Sequence, residues 1–436
     1  MGFKKKLYAL RPDREGLEVE TQRTKLLRRR EPADPRSIER GVRQLLADKV
    51  CGTLVGLWLL VPEHLRLGTW DLLCGWCRCP GQHLEPRLAL QVVHEAALCT
   101  HGRRAQRSLS QRGFELANGL PFLASDPAIH DLLDAHTVAE AEGLQATLGQ
   151  IRRARGHYRG SLLVIDPHRT RSYTKRHVRR YRAKGHARSY KMAQTFFCLD
   201  AHTGQPVAFT TATAALLDFV HDQSPFDLLV PAPRRAPIRR LIAALAPESF
   251  TRRWAGFATA KAPYAPRGSH AGPYTLFIER SRERPDEFTY GTFLCTADRP
   301  EVDALSRDFP QRWHVEEFLN ANQTLGWDRA GTLNLHIRYG QMTFALLAQA
   351  VLHQLPERLG DPCASWEAAH FAQELLAGLE GDIRVADDTI LVTYYNALHA
   401  DRLRPHYEDL PQRLERQHID PRIPWLYGLK LNFRFK

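Results

Sequence analysis

The feature that most constrains the fold is an apolar run at 161–165 that leads directly into Asp166. Gly160 precedes the run and Pro167 follows it, which gives it the length of a strand and not of a helix. A continuous apolar run is typical of a central strand that is buried on both faces of a sheet. We therefore predict a buried strand at 161–166 with an acidic residue at its end.

A second constraint lies far downstream, where Phe309, Arg312, Glu316 and Gln323 are spaced three, four and seven residues apart. At about 3.6 residues per turn, these side chains share one face of a helix. A guanidinium one turn before a carboxylate holds that carboxylate ionised and fixes its rotamer. This spacing favours Glu316 as a metal-binding acid, and a routine surface ion pair is the alternative.

The charge of the chain points to a polyanionic partner. The 436 residues carry a net charge of +13, and 25% of them are charged, as in a globular protein. Nucleic acid is the first choice of partner and an acidic membrane surface the second. The longest apolar run, Cys51 to Pro62, is too short to span a bilayer. Eight cysteines without an evenly spaced framework favour a reducing interior, so we expect a cytoplasmic protein.

Patterns along the chain predict where strands and helices lie. Alternating or continuous apolar runs predict strands at 161–166, 192–200, 205–211, 226–230, 274–279, 289–296, 389–395 and 429–436. Helical spacing predicts helices at 214–221, 238–246 and 335–355.

Changes in composition and in hydrophobic pattern divide the chain into six predicted segments. They are a basic, partly ordered arm at 1–35, a helical DNA-binding region at 36–155, the first part of a core at 156–250, a β-rich insertion at 251–300, core helices at 301–357 and a small α/β tail at 358–436.

Taken together, these features resemble a known family. Asp166 closing a first strand, an antiparallel meander after it, and a later helix with Arg312 and Glu316 are similar to the core of DDE-type insertion-sequence transposases. The closest subgroup has a Tyr–Arg–Glu–Lys signature, and Phe309 and Gln323 stand here at its outer positions. The resemblance covers residues 160–355 and implies a mixed α/β fold: an RNase H-like mixed sheet with flanking helices, the β-rich insertion and the N-terminal helical region.

The resemblance also implies a chemistry and partners. Asp166 and Glu316 would bind Mg²⁺ or Mn²⁺, Arg312 and Gln323 would support them, and the two-metal site would cleave and rejoin DNA strands. The implied partner is double-stranded DNA, both transposon ends and target, bound by a homodimer associated with the nucleoid. No membrane partner is implied.

One part of the family pattern is missing. The family's second Asp should end a fourth strand, but the sequence passes from the strand at 205–211 straight into the helix at 214–221. The nearest substitutes are Asp218, Asp222 and Asp227. We therefore expect little or no transposition chemistry. The alternatives are a non-catalytic DNA-binding protein derived from a transposase, and a metal-dependent nuclease with a rebuilt site.

Two other clusters are candidate binding sites, one of basic residues and one of cysteines and histidines. Ten Lys or Arg lie between Arg169 and Lys191, with tyrosines interleaved, and this pattern favours DNA phosphate contacts over a merely solvated loop. The candidate DNA-binding residues there are Arg169, Arg171, Lys175, Arg176, Arg179, Arg180, Arg182 and Lys184. Upstream, a zinc site is a possibility, although the cluster lacks a second CxxC. Its candidate ligands are Cys74, Cys77 and Cys79, with His83, Cys99 and His101 nearby.

Overall fold

The computed structural model describes residues 34–99, 111–171, 180–181, 188–210, 218, 221–222, 226–270, 272–284, 287–312, 325, 334–395 and 397–436. Within these residues the chain forms two compact units. The first contains the residues up to Thr137, Leu325, and everything from Tyr339 onward. The second contains the rest of Val138 to Arg338.

The described strands, numbered along the chain, are β1 Val50–Gly52, β2 Leu162–Arg171, β3 Arg180–Tyr181, β4 Tyr190–Asp200, β5 Pro206–Thr210, β6 Asp227–Pro231, β7 Thr251–Trp254, β8 Phe257–Tyr264, β9 Tyr274–Arg284, β10 Glu287–Cys295, β11 Gly381–Ala386, β12 Thr389–Tyr394, β13 Arg422–Ile423 and β14 Leu429–Phe435.

The described α-helices are α1 Pro35–Ala47, α2 Val61–Leu67, α3 Thr69–Cys77, α4 Glu85–Ala97, α5 Arg112–Ala117, α6 Asp126–Asp134, α7 Val138–Ala154, α8 Ala236–Ala244, α9 Leu335–Leu359, α10 Ala368–Phe371, α11 Ala400–Tyr407 and α12 Leu410–Arg416. Short 3₁₀ and π segments lie between them, among them Val55–Leu60, Asp303–Asp308, Phe309–Arg312 and Ala372–Ala377.

The first unit joins the two ends of the described chain in one sheet. Its described strands have the order β1-β11-β12-β14-β13, and Val50 of β1 is paired with Ile383 of β11. The 3₁₀ segment Val55–Leu60, which follows β1, lies very close to the π segment Ala372–Ala377. A Cβ on Gly56 would come within 1.9 Å of the Leu375 carbonyl oxygen. Only glycine permits that approach. The region 36–137 and the tail thus share a core.

Three buried polar residues of the first unit contact one another: His64, His94 and Asn118. His94 donates from Nδ1 to Asn118 Oδ1 at 2.7 Å, and its Nε2 lies 3.0 Å from Nε2 of His64. Burial lowers the pKa of His94 to about 4. Burial, and next the neighbouring His94, lowers the pKa of His64 well below its usual range. Both imidazoles are therefore neutral in the folded protein at pH 7.

The second unit is built on a mixed sheet. Its described strands have the order β3-β4-β2-β6-β10-β9-β8-β7, and β5 pairs with β4. Strands β2, β4 and β5 form an antiparallel meander, whereas β6 pairs parallel to β2. Helix α7 is fastened to β5 by the buried Arg152, which donates to the Pro206 carbonyl oxygen at 2.8 Å. Apolar residues fill both faces of the central strands, as expected of a buried sheet.

The two faces of this sheet can be told apart by strand alternation. On one, which we call the α8 face, Leu163, Leu228 and Leu276 pack with Ile238 of α8. The other face we call the Phe293 face. On it Leu229 of β6 is paired with both Val164 of β2 and Cys295 of β10, and Phe293 lies two residues before Cys295. The paired register fixes which residues share each face.

The predicted strands at 192–200, 205–211, 226–230, 274–279, 289–296, 389–395 and 429–436 all find a counterpart in the structure. The fold is mixed α/β, with mixed sheets and many helices. The predicted end of the first strand is wrong, because β2 continues past Asp166 to Arg171 while it pairs with β4. Pairing with β6 stops at Val164, so the continuation is an edge, where Pro167 is tolerated.

Among the helices that the structure describes, none is both long enough and apolar enough to cross a membrane.

Acid should destabilise the first unit through the buried histidines. Their folded pKa values lie below the usual 6.5, so the unfolded chain takes up protons first and stability falls as the pH falls below about 6.5. The expected loss is about 1.4 kcal/mol per pH unit for each imidazole. Chemical denaturation between pH 7 and pH 5 measures it. His64→Gln should remove part of this slope.

His130, which is exposed on α6, supplies the matched control. His130→Gln should leave the pH dependence unchanged. An equal slope in the native protein and in His64→Gln would contradict the assignment.

Candidate functional site

Asp166 lies inside β2, opposite Phe197 of β4. It is two residues beyond Val164, where the parallel pairing with β6 ends. By strand alternation, Asp166 therefore belongs to the Phe293 face, as Val164 does. Extending the pairing of Val164 with Leu229 by two residues puts Asp166 level with Pro231 at the end of β6.

The segment that leads into the predicted catalytic helix packs on this same face. The ring of Phe309 contacts that of Phe293, with 4.2 Å between their centroids. Segment Phe309–Arg312 also contacts strand β2, the strand that contains Asp166. Phe293 is itself paired with Pro231, so the segment begins close to the level of Asp166.

An ion-pair cluster fixes the start of that segment. Arg299 contacts Asp308 at 3.2 Å and Asp227 at 3.1 Å, and it lies within 3.5 Å of the Ser161 hydroxyl. Ser161 and Asp227 precede or begin two neighbouring strands, whereas Asp308 directly precedes Phe309. One partly buried guanidinium thus ties the segment to the sheet.

Several predicted site residues lie outside the described residues. They are Glu316, Gln323, Lys175, Arg176, Arg179, Arg182 and Lys184. For Asp166, Arg169, Arg171 and Arg312 only the position of the backbone is described. Arg180 is exposed on β3 and donates to the Ser189 carbonyl oxygen at 3.1 Å. The pairing of Asp166 with Glu316 stays a prediction.

The position expected for the second acid holds none. Strand β6 ends at Pro231 and continues into Ala232 and Pro233. Thr292 donates to the Ala232 carbonyl oxygen, which fixes this exit from the sheet. The described residues level with Asp166 therefore supply no carboxylate from β6.

The nearest candidate substitute, Asp218, is committed elsewhere. Its buried carboxylate accepts hydrogen bonds from the Tyr274 hydroxyl at 2.6 Å and the Ser269 hydroxyl at 2.5 Å. Burial and the bond to Asp218 raise the pKa of Tyr274 to about 12. Tyr274 packs in the core of the α8 face, so Asp218 lies on the opposite side of the sheet from the Phe293 face.

The other two substitutes also have polar partners. Asp222 pairs with His221 and His270, at 3.0 Å and 3.2 Å. Asp227 pairs with Arg299 at the beginning of β6, the end opposite to Pro231. Asp227 is therefore not at the level of Asp166.

An arginine cluster follows the exit of β6, a feature that the sequence analysis did not single out. Arg234, Arg235, Arg239 and Arg240 are all exposed, at the start of α8 and just before it. Among the described residues, none of the four forms an ion pair. The signal in the sequence was two Arg-Arg doublets, five residues apart, directly after a strand.

The β-rich insertion presents exposed aromatic rings beside arginines. The guanidinium of Arg280 lies 4.2 Å from the ring centroid of Phe250 and 4.7 Å from that of Phe288. Trp254 stacks on Phe257 at 4.2 Å and is 54% exposed. By register, Trp254 and Phe257 lie on the Phe293 face. Flat exposed rings beside guanidinium groups suit contact with unpaired bases.

In the first unit, the turn between α3 and α4 contains several possible metal ligands. Donor atoms of Cys79, His83 and Glu85 all lie within 4.8 Å of one another. Burial, and next the neighbouring Cys79, raises the pKa of Cys74 to about 11 and raises that of Cys77 further. Burial and Glu85 raise the pKa of Cys79 to about 11. These groups therefore lie close enough to oppose one another's ionisation.

No protein-family model matches this chain, and no curated protein matches it. Among solved structures, it is similar to a chain of the cryo-EM structure of the piggyBac transposase synaptic complex with hairpin DNA. The identity is 10% and the TM-score 0.36, over 76% of this chain and 82% of that chain. At those values the likeness carries no inference about function.

Replacing Arg299 should loosen the segment before Phe309. Arg299→Met leaves Asp227 and Asp308 without their shared cation, and we expect a loss of about 1–3 kcal/mol in the stability of the second unit. Hydrogen exchange of peptides over 226–231 and 303–312 should speed up together. Peptides from the first unit should not change.

Arg307 gives the control, since it also pairs with Asp308, at 3.1 Å, but is 64% exposed. Arg307→Met should cost less than about 0.5 kcal/mol. Equal destabilisation of the two variants would mean that the pairing of Arg299 with Asp227 and Asp308 does not hold the segment to the sheet.

Proposed function

We propose that this chain is a DNA-binding protein of the transposase type, in which Asp166 and Glu316 of the metal site are kept and the second Asp is absent. The observation that carries the proposal is the packing of segment Phe309–Arg312 against β2, on the face to which the register of Asp166 belongs. Glu316 follows one helical turn after Arg312 in sequence.

The topology of the second unit supports an RNase H-like core. An antiparallel meander of β2, β4 and β5 continues on its β2 side into the parallel strand β6. Segment Phe309–Arg312, which precedes Glu316 in the sequence, then packs against the strand that contains the first acid. This is the arrangement that a metal-dependent DNA-processing enzyme of the DDE type requires.

The acids present do not fit a complete two-metal site. Mg²⁺ and Mn²⁺ prefer carboxylate oxygens, and two closely spaced ions need three such groups. Asp166 and Glu316 supply two, whereas β6 ends at the uncharged Pro231 and Ala232. We therefore assign no catalytic step to this chain. A nuclease site rebuilt around Asp218 has no support, because that carboxylate is buried on the other side of the sheet.

DNA is the partner that the surface favours. The four exposed arginines that follow the exit of β6 have no acidic partner among the described residues. Phosphates would neutralise them and release counterions. Trp254, on the same face as Phe293, is exposed for stacking on an unpaired base. Binding of double-stranded ends by a homodimer in the nucleoid is the further expectation.

Removing the arginine doublets should weaken DNA binding and its salt dependence. Arg239→Gln with Arg240→Gln, and separately Arg234→Gln with Arg235→Gln, should each reduce the slope of log K against log salt by about 2 for duplex DNA. Fluorescence anisotropy over a range of salt concentrations measures this slope.

The matched control removes the same charge from the first unit. Arg416→Gln with Arg434→Gln replaces two exposed arginines that lie on α12 and β14. Its slope should remain that of the native protein. Equal effects of the control and the doublet variants would mean that only net charge matters.

Restoring an acid at the end of β6 should restore some chemistry. Pro231→Asp introduces a carboxylate level with Asp166, and it frees a backbone N–H at an exposed position. We expect Mn²⁺-dependent nicking of supercoiled DNA by this variant and none by the native chain. Gel electrophoresis of the plasmid separates nicked from supercoiled forms.

Adding Asp166→Ala or Glu316→Ala to Pro231→Asp should abolish the nicking. DNA binding by the native chain should persist in a chelator and in Asp166→Ala. Nicking by the native chain that survives both alanine substitutions would contradict the proposed site.

A further inference from the structure

The turn between α3 and α4 gathers sulfur and nitrogen ligands that the proposed DNA chemistry does not use. Cys74 and Cys77 lie three residues apart in the last turns of α3, and Cys79 and His83 follow in the turn. Thiolate and imidazole groups together are the ligands that zinc prefers in structural sites.

The end of α3 brings Cys79 back toward the helix. Arg78 adopts the left-handed conformation, with φ of 54°, and ends the helix. The next backbone N–H, that of Cys79, bonds to the Cys74 carbonyl oxygen at 3.3 Å. Cys74 and Cys77 share a helix face because they are three residues apart. The reversal therefore puts three thiols at one helix end.

His83 completes a set of four. Its imidazole, the Cys79 sulfur and a Glu85 oxygen lie within 4.8 Å of one another. Ligand atoms around a tetrahedral zinc with bonds of about 2.0–2.3 Å lie about 3.3–3.8 Å apart. The Cys79 sulfur and the His83 imidazole are therefore at most about 1.5 Å farther apart than two ligands of one ion, and Cys74 and Cys77 stand at the adjoining end of α3.

The turn rests on a fixed base. A Cβ on Gly81 would come within 2.6 Å of the Trp70 indole nitrogen, so the backbone lies directly on that ring. The buried Arg87 reaches toward the Gly81 carbonyl oxygen at 3.5 Å and anchors to that of Gly119 at 2.9 Å. A turn held in this way arranges its ligands in advance.

The cysteines of this cluster are accessible, unlike the three that lie in the core. Cys198, Cys295 and Cys363 are buried, as structural cysteines usually are. Cys74, Cys77 and Cys79 are partly exposed, and His83 and Glu85 are exposed. A metal ion can therefore reach the cluster from solvent.

We infer that Cys74, Cys77, Cys79 and His83 bind one Zn²⁺, which fixes the turn between α3 and α4. Three thiolates and one imidazole are a standard structural zinc set. Glu85 lies beside the site, with a carboxylate oxygen 3.9 Å from the Cys79 sulfur, and is not a ligand. Zinc would be a structural ion of the first unit, independent of the acids in the second.

The test is to measure the zinc content of the full chain purified without chelator, and then the zinc affinity of the metal-free protein. We expect one zinc per chain. Cys79→Ser and Cys74→Ser should each weaken zinc binding at least tenfold, a typical effect of losing a ligand. Glu85→Gln should bind zinc as the native protein does. Zinc should raise the melting temperature of the native chain and not that of Cys79→Ser.

Cys51→Ser is the matched control, since Cys51 is exposed and outside the cluster. The Co²⁺-substituted native protein should show the thiolate charge-transfer band of a tetrahedral site. Comparable melting of the metal-free variants confirms that they fold. The inference is overturned if the native chain neither contains nor binds zinc. It is equally overturned if Cys74→Ser keeps full affinity while Glu85→Gln loses it.

Discussion

The pairing of Arg299 with Asp227 and Asp308 is the interaction on which the candidate site depends. It joins the beginning of a central strand to the residue just before Phe309, and these elements are far apart in the chain. Because the guanidinium is only 20% exposed, losing one partner would leave a poorly solvated charge. Next to this anchor the Phe309 ring contacts that of Phe293, and segment Phe309–Arg312 contacts β2.

The same sheet explains why we propose a binding protein and assign it no catalytic step. Register sets Asp166 level with Pro231, so the position where a second carboxylate would share a metal is filled by a proline. Beyond it the chain turns into α8 with exposed arginines and not acids. Exposed arginines favour contact with phosphate, which is the basis of the proposed DNA binding.

The sequence predicted most strands because alternation and apolar runs are local signals. It misjudged the end of β2 because the pairing with β4, not the composition of β2, carries that strand past Asp166. It also had no local signal for the pairing of Val50 with Ile383, which depends on residues from opposite ends of the chain. The arginines of α8 escaped notice because single doublets resemble ordinary surface charge.

The central claim is that Asp166 and Glu316 bind the same divalent ion. The most direct measurement is a double-mutant cycle on Mn²⁺ affinity, followed by electron paramagnetic resonance, with Asp166→Ala, Glu316→Ala and the double variant. Shared ligation predicts that each single substitution abolishes nearly as much affinity as both together, so the losses are strongly non-additive. Losses that simply add, or Mn²⁺ binding untouched by either substitution, would contradict the account.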